Sequence, residues 1–178
     1  MKVLTTAPVA LAALAASLLT ACERGERAEH AESPLEGAWS VANITVTGPN
    51  SAASTTVQPS LFLFREKHYS MMRVTGNQPR TLAATDSATD AEKLAAYNSF
   101  IANTGTYEVA DSTLTIHPVV ARSPNYMSGG SDKYHFRVSG DTLWLTNTGA
   151  DIQTRIGGQL VGPTGTPSAT MLLLVRQK

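Results

Sequence analysis

Downstream of residue 35 the chain is dominated by short runs in which apolar and polar positions alternate. LEGAWSVANITVTG carries β-branched residues in alternation and predicts a first strand over 37–47. GPNSAASTTVQPS is a small-residue loop. LFLFRE (61–66) and HYSMMRV (68–74) predict two strands joined tightly at Glu66-Lys67. One helix is expected over 90–103. Thr89 and Glu92 have capping-box spacing, Asp90 suits the helix N-terminus, and Leu94, Tyr97 and Ile101 form one apolar stripe. Gly105 is placed to stop it. The segments 106–110, 113–121, 132–139 and 141–147 then read as strands. They are separated by the turn signals Ala110-Asp111-Ser112, Ser128-Gly129-Gly130 and Ser139-Gly140-Asp141. Weak strand character at 152–156 sits in a glycine- and proline-rich stretch, 149–168, and ATMLLLVRQK closes the chain as a last strand. About eight short strands at near-regular spacing, with one helix, predict an all-β antiparallel barrel in one domain, 35–178.

The N-terminus follows different rules. Residues 1–21 have a positive start at Lys2 and an apolar stretch from Val9 to Leu19, shorter than the roughly 20 apolar residues a membrane helix needs. The segment ends in Leu19-Thr20-Ala21-Cys22. An aliphatic residue, two small residues and a cysteine resemble a bacterial lipobox, in which the cysteine is acylated and becomes the first residue after cleavage. The only cysteine of the chain stands at that position. The expectation is a signal peptide over 1–21 and a lipidated Cys22. Residues 22–34, charged and free of apolar periodicity, are then a flexible tether to the membrane. Glu23 follows the cysteine where aspartate is the usual inner-membrane retention signal, so the periplasmic face of the outer membrane is the expected location.

Composition narrows the chemistry. Fourteen basic side chains balance fourteen acidic ones, and no basic stripe exists, which argues against nucleic acid. A single cysteine excludes an internal disulfide and a cysteine-based zinc site. The histidines, His30, His68, His117 and His135, do not occur at ligand spacing, so no metal and no other cofactor is expected. Neither a G-x-S-x-G elbow nor an H-E-x-x-H helix is present, and the glycines of 157–165 lack a strand–loop–helix context for phosphate.

Several stretches, in order, resemble the bacterial lipocalin-like domain family. They are Leu35-Glu36-Gly37-Ala38-Trp39 and the strand pair LFLF and HYSMM followed by Pro79-Arg80. Next comes a helix running into Ile101-Ala102-Asn103-Thr104-Gly105-Thr106-Tyr107-Glu108-Val109. The last are Arg137 and the hairpin from Gly140 to Leu145. The chain departs from that pattern at Ser60, where a glycine often opens the second strand, at the Glu66-Lys67 turn, where Asp-Gly is usual, and in the long 149–168 stretch. The resemblance implies a small up-and-down barrel with an internal cavity, its floor closed by Trp39 with Arg176 lying over the indole.

In such a barrel the candidates for ligand contact are Phe62, Phe64, Tyr69, Met71, Arg73, Tyr107, Tyr134 and Phe136, with Met72 and Trp144 also on strands. Alternation puts Phe62 and Phe64 on a shared face of their strand, and does the same for Tyr69, Met71 and Arg73 and for Tyr134 and Phe136. Arg73 is the natural partner for a carboxylate or phosphate head group. Two readings stay open at this point. These side chains line a cavity for a small hydrophobic or amphipathic molecule such as a fatty acid, or they fill the core of a structural or interaction module. An isomerase or cyclase on the same scaffold is the weaker third reading, and would draw on Arg73, Tyr107 and Tyr134. The domain is expected to be a monomer.

Overall fold

The computed structural model describes residues 33–49, 51–54, 57–80, 87–127, 129–162 and 168–178. The expected signal peptide, Cys22, His30 and most of the tether lie outside the described residues. So do 81–86. Among the described residues no helix is long and apolar enough to cross a membrane.

In chain order the elements are β1 (Gly37–Thr47), β2 (Ala52–Ser54), β3 (Ser60–Arg65), β4 (His68–Val74), α1 (Asp90–Asn98), β5 (Phe100–Ala110) and β6 (Thr113–Ala121). There follow α2 (Pro124–Met127), β7 (Ser131–Ser139), β8 (Thr142–Thr148), β9 (Ile152–Ile156), β10 (Gln159–Val161) and β11 (Ala169–Arg176). Eight of these strands form a closed antiparallel circuit, β1-β3-β4-β5-β6-β7-β8-β11 and back to β1. Among the described residues β2 pairs only with β1, and β9 pairs with β7 and β10 outside the circuit.

Strand alternation decides which faces are inward. In β3, Phe62 and Phe64 are buried, while Leu61 and Leu63 between them stand 37% and 39% exposed on the outer wall. Tyr69 and Met71 in β4, Tyr107 in β5, Leu114 and Ile116 in β6, Leu143 and Leu145 in β8, and Leu172 and Leu174 in β11 follow the same rule. Trp144 does not face the interior. It lies between the buried Leu143 and Leu145, so the pleat turns it outward, where the Arg137 guanidinium stacks on its ring at 3.6 Å. Met72 is likewise outward.

The helix is shorter than its apolar spacing implies. Its start is as expected: the Thr89 N–H donates to the Glu92 carboxylate at 2.7 Å, and Glu92 N–H donates to Thr89 Oγ1 at 3.3 Å. It ends at Asn98, and no residue of it is buried. Leu94 and Tyr97 stand 60% and 48% exposed, and Ile101 belongs to β5, opposite Arg73. The helix is held at the rim by polar contacts instead. Arg122 stacks over the Tyr97 ring at 4.7 Å, and Tyr97 Oη donates to the Arg122 carbonyl at 3.1 Å.

Gly105, expected as a helix stop, lies inside β5 at a register shift against β6. A Cβ there would sit 2.0 Å from the His117 carbonyl oxygen, so only glycine lets the two backbones approach this closely. The turn at Glu66-Lys67 holds Glu66 at φ 54, a left-handed conformation that asparagine and glycine usually supply. Its N–H donates to the Glu36 carboxylate at 2.9 Å, tying the turn to the segment before β1. Ser60 also has a function that glycine would lack: its hydroxyl accepts from Val41 N–H at 2.8 Å, beside the irregularity in β1.

Candidate functional site

One end of the barrel is shut. Trp39 is fully buried and donates its indole N–H to the Leu35 carbonyl at 2.7 Å. The Arg176 guanidinium lies 4.1 Å from the indole ring, donates to the Glu36 carbonyl, and comes within 3.6 Å of the Asp141 carboxylate. Trp39 and Arg176 are partners in the β1–β11 register, so the sheet itself brings them together. Gly37 completes the unit, because a Cβ there would collide with Arg176 Nη1 at 2.5 Å.

Above this floor Phe64 and Tyr107 meet edge to face, ring centroids 5.4 Å apart, and Tyr69 is buried with them in the same core. Phe136 packs partly buried against that core. Four of the expected contact residues, Phe64, Tyr69, Tyr107 and Phe136, thus pack in or against the core and do not line the cavity above it. The reason is height along the strands: they sit one or two inward positions nearer the floor.

Toward the other end the interior opens into a cavity of about 340 Å³. Phe62, Met71, Ile101 and Leu172 give it an apolar wall, and Arg73 and Tyr134 line it as well. Ser123 and Tyr126, from α2 and its approach, and Ile152 and Thr154, from β9, complete its lining. A second depression of about 500 Å³, between the β1–β2 hairpin and the 75–77 turn, shares Arg73 and Thr170 with the first.

The most constrained group in the cavity is Asp132, which the sequence reading passed over. Its side chain is buried, and its residue stands opposite Ile152 and Ile116 in neighbouring strands. Tyr134 Oη donates to Asp132 Oδ2 at 2.6 Å, and Asn147 Nδ2 donates to Oδ1 at 2.8 Å. Tyr126 also hydrogen-bonds this carboxylate. Burial pushes the Asp132 carboxyl up to about 6, against the pull of the Tyr134 and Asn147 hydrogen bonds. Burial and the nearby carboxylate raise the Tyr126 and Tyr134 phenols well above their ordinary range. Alternation held the clue: Asp132, Tyr134 and Phe136 share one face of β7, so an inward Tyr134 requires an inward Asp132.

Arg73 differs from Asp132. Among the described residues no hydrogen bond or ion pair holds its guanidinium, and burial lowers its pKa from the ordinary arginine value. Histidines 68, 117 and 135 are exposed. His135 pairs with Thr113 and His117 with Thr106, so they are not cross-strand neighbours. Among the described residues no three metal-ligating side chains gather.

The chain is similar to a lipocalin-like protein from Bacteroides uniformis ATCC 8492, at 11% identity over 82% of this chain and 100% of that one, with a TM-score of 0.42. It is also similar to an uncharacterized protein from Bacteroides eggerthii DSM 20697, at 10% identity over 80% of this chain and 99% of that one, with a TM-score of 0.39. No curated protein matches the chain. A family model of the lipocalin-like domain matches residues 36–161. With the closed eight-strand circuit, this places the chain in the lipocalin-like domain family.

Proposed function

We propose that the chain is a cell-envelope lipoprotein whose barrel binds a small amphipathic molecule. The observation that carries the binding half is the cavity. It joins an apolar wall at Phe62, Met71, Ile101 and Leu172 to polar groups at Arg73, Asp132 and Tyr134. A few placed polar groups in an otherwise apolar concavity suit a ligand with one greasy and one polar end. The open volume weighs against a filled structural barrel. Asp132 weighs against an enzyme, since both its oxygens already accept hydrogen bonds from Tyr134 and Asn147. The anchoring half rests on Leu19-Thr20-Ala21-Cys22 and on Glu23 for the outer membrane. Two acyl signals hold a protein at a membrane far better than one chain.

Native mass spectrometry with decanoate and decanol tests the cavity. Both are expected to form one-to-one complexes, and Thr170→Phe, which fills the space next to Leu172, is expected to abolish both without lowering thermal stability. Arg73→Gln is expected to weaken decanoate by about tenfold to a hundredfold, because a charge-assisted hydrogen bond is lost, and to leave decanol unchanged. Complexes that survive Thr170→Phe would place the ligand elsewhere. For the anchor, bacteria expressing the chain are expected to incorporate labelled palmitate into it, and Cys22→Ser to remove the label. A Cys22→Ser chain that remains labelled rules the anchor out.

A further inference from the structure

The polar end of the cavity has two vacancies of opposite kind. Arg73 offers donors and a positive charge that no hydrogen bond or ion pair holds among the described residues, although Tyr134 acts on its charge. Asn103 offers the reverse: its Oδ1 is buried, and no donor among the described residues reaches it. The two residues lie on adjacent strands. Asn103 is opposite Met71 and Arg73 is opposite Ile101, so Arg73 and Asn103 are diagonal neighbours on one inward face, and both line the cavity. Diagonal positions in an antiparallel pair stand about 7–8 Å apart, within reach of one compact head group. Asp132 lines the same cavity. A bare anion drawn to Arg73 therefore also meets a carboxylate, while a group with its own O–H or N–H finds acceptors there.

We propose that the ligand is a carboxylic acid bearing a hydroxyl or amide N–H donor close to the acid. Its carboxylate meets Arg73, its donor meets Asn103 Oδ1, and its apolar chain lies against Phe62, Met71 and Leu172. This rests on the binding reading above and adds the head-group chemistry to it. A plain fatty acid satisfies Arg73 and leaves Asn103 Oδ1 without a partner. An alcohol reaches Asn103 and leaves Arg73 uncompensated. Only the combined head group fills both positions at once.

Calorimetric titration of the full chain with decanoate and with 3-hydroxydecanoate tests this. In the unaltered protein the hydroxy acid is expected to bind about tenfold more tightly, the effect of one well-made neutral hydrogen bond. Asn103→Leu, which keeps the volume and removes the acceptor, is expected to bring that ratio to about one. Arg73→Gln is expected to weaken both acids and preserve the ratio. Equal affinities in the unaltered protein overturn the proposal without any variant, as does a ratio that Asn103→Leu leaves in place. If decanoate and the hydroxy acid fail to bind while decanol does, the acid head group is wrong and the cavity reading stands. If no amphiphile binds, both fall.

Discussion

Trp39→Ala is expected to cost about 4 kcal/mol of folding stability, the range for deleting a large buried aromatic. Three losses combine. The indole is fully buried, so its removal leaves a void at the barrel floor. The Leu35 carbonyl loses the indole N–H at 2.7 Å and stays buried without it. Arg176 loses the ring face it stacks on at 4.1 Å, a contact worth about 0.5–2 kcal/mol. Trp144→Ala is the internal comparison. It also removes an indole and an arginine stack, Arg137 at 3.6 Å, but on the outer wall. It is expected to cost roughly 1 kcal/mol, as surface cation–π pairs do. Urea unfolding of the two variants checks this, and similar losses would mean that Trp39 does not close the floor.

Asp132 is expected to give the largest pH effect on stability. A carboxyl that titrates at about 6 in the folded chain and at 3.8 when unfolded binds its proton more tightly in the native state. The stabilising contribution is therefore complete below pH 4 and lost as pH rises through 6. The loss is roughly 3 kcal/mol between those limits. The groups acting on it are Tyr134, Asn147 and Tyr126 through hydrogen bonds and Asp151 through its charge. Asp151 and Glu92 titrate in the opposite sense, since hydrogen bonds from Thr148 and Thr89 lower them. The readout is thus the difference between the unaltered protein and Asp132→Asn, followed by unfolding from pH 4 to pH 7.5. That difference is expected to shift by about 3 kcal/mol in favour of the variant as pH rises. A difference that stays flat would mean the carboxylate is solvated.

Strand content was the legible part of this chain, because half-buried strands leave a period of two that survives without neighbours. The paired faces of Phe62 with Phe64, and of Tyr69, Met71 and Arg73, follow from that period alone. The helix end was not legible. Leu94, Tyr97 and Ile101 mimic an apolar stripe, but Ile101 is spaced equally well for a strand. The choice is made by pairing with β4, which spacing along one segment does not reveal. Gly105 was misleading for the same reason. A glycine after a helix suits a cap, and what requires it here is the His117 carbonyl on the next strand. Asp132 escaped notice because an isolated aspartate at a strand start usually faces water. Its partners, Asn147 and Tyr126, come from other elements. Cavity wall and packed core share one inward face of each strand, so periodicity cannot divide Phe62 from Phe64.

The pairing of β1 with β11 bears on how the chain folds. The strand that holds Trp39 finds a main partner in the last strand of the sequence, and the guanidinium that covers the indole belongs to Arg176. Joining them encloses nearly the whole domain in one loop, whose entropic cost must be met before any floor contact rewards it. The hairpins β3–β4, β5–β6 and β7–β8 can form from local sequence, but the barrel closes only once its C-terminus is present. Synthesis from the N-terminus therefore leaves β1 paired with β2 and β3 alone until β11 emerges.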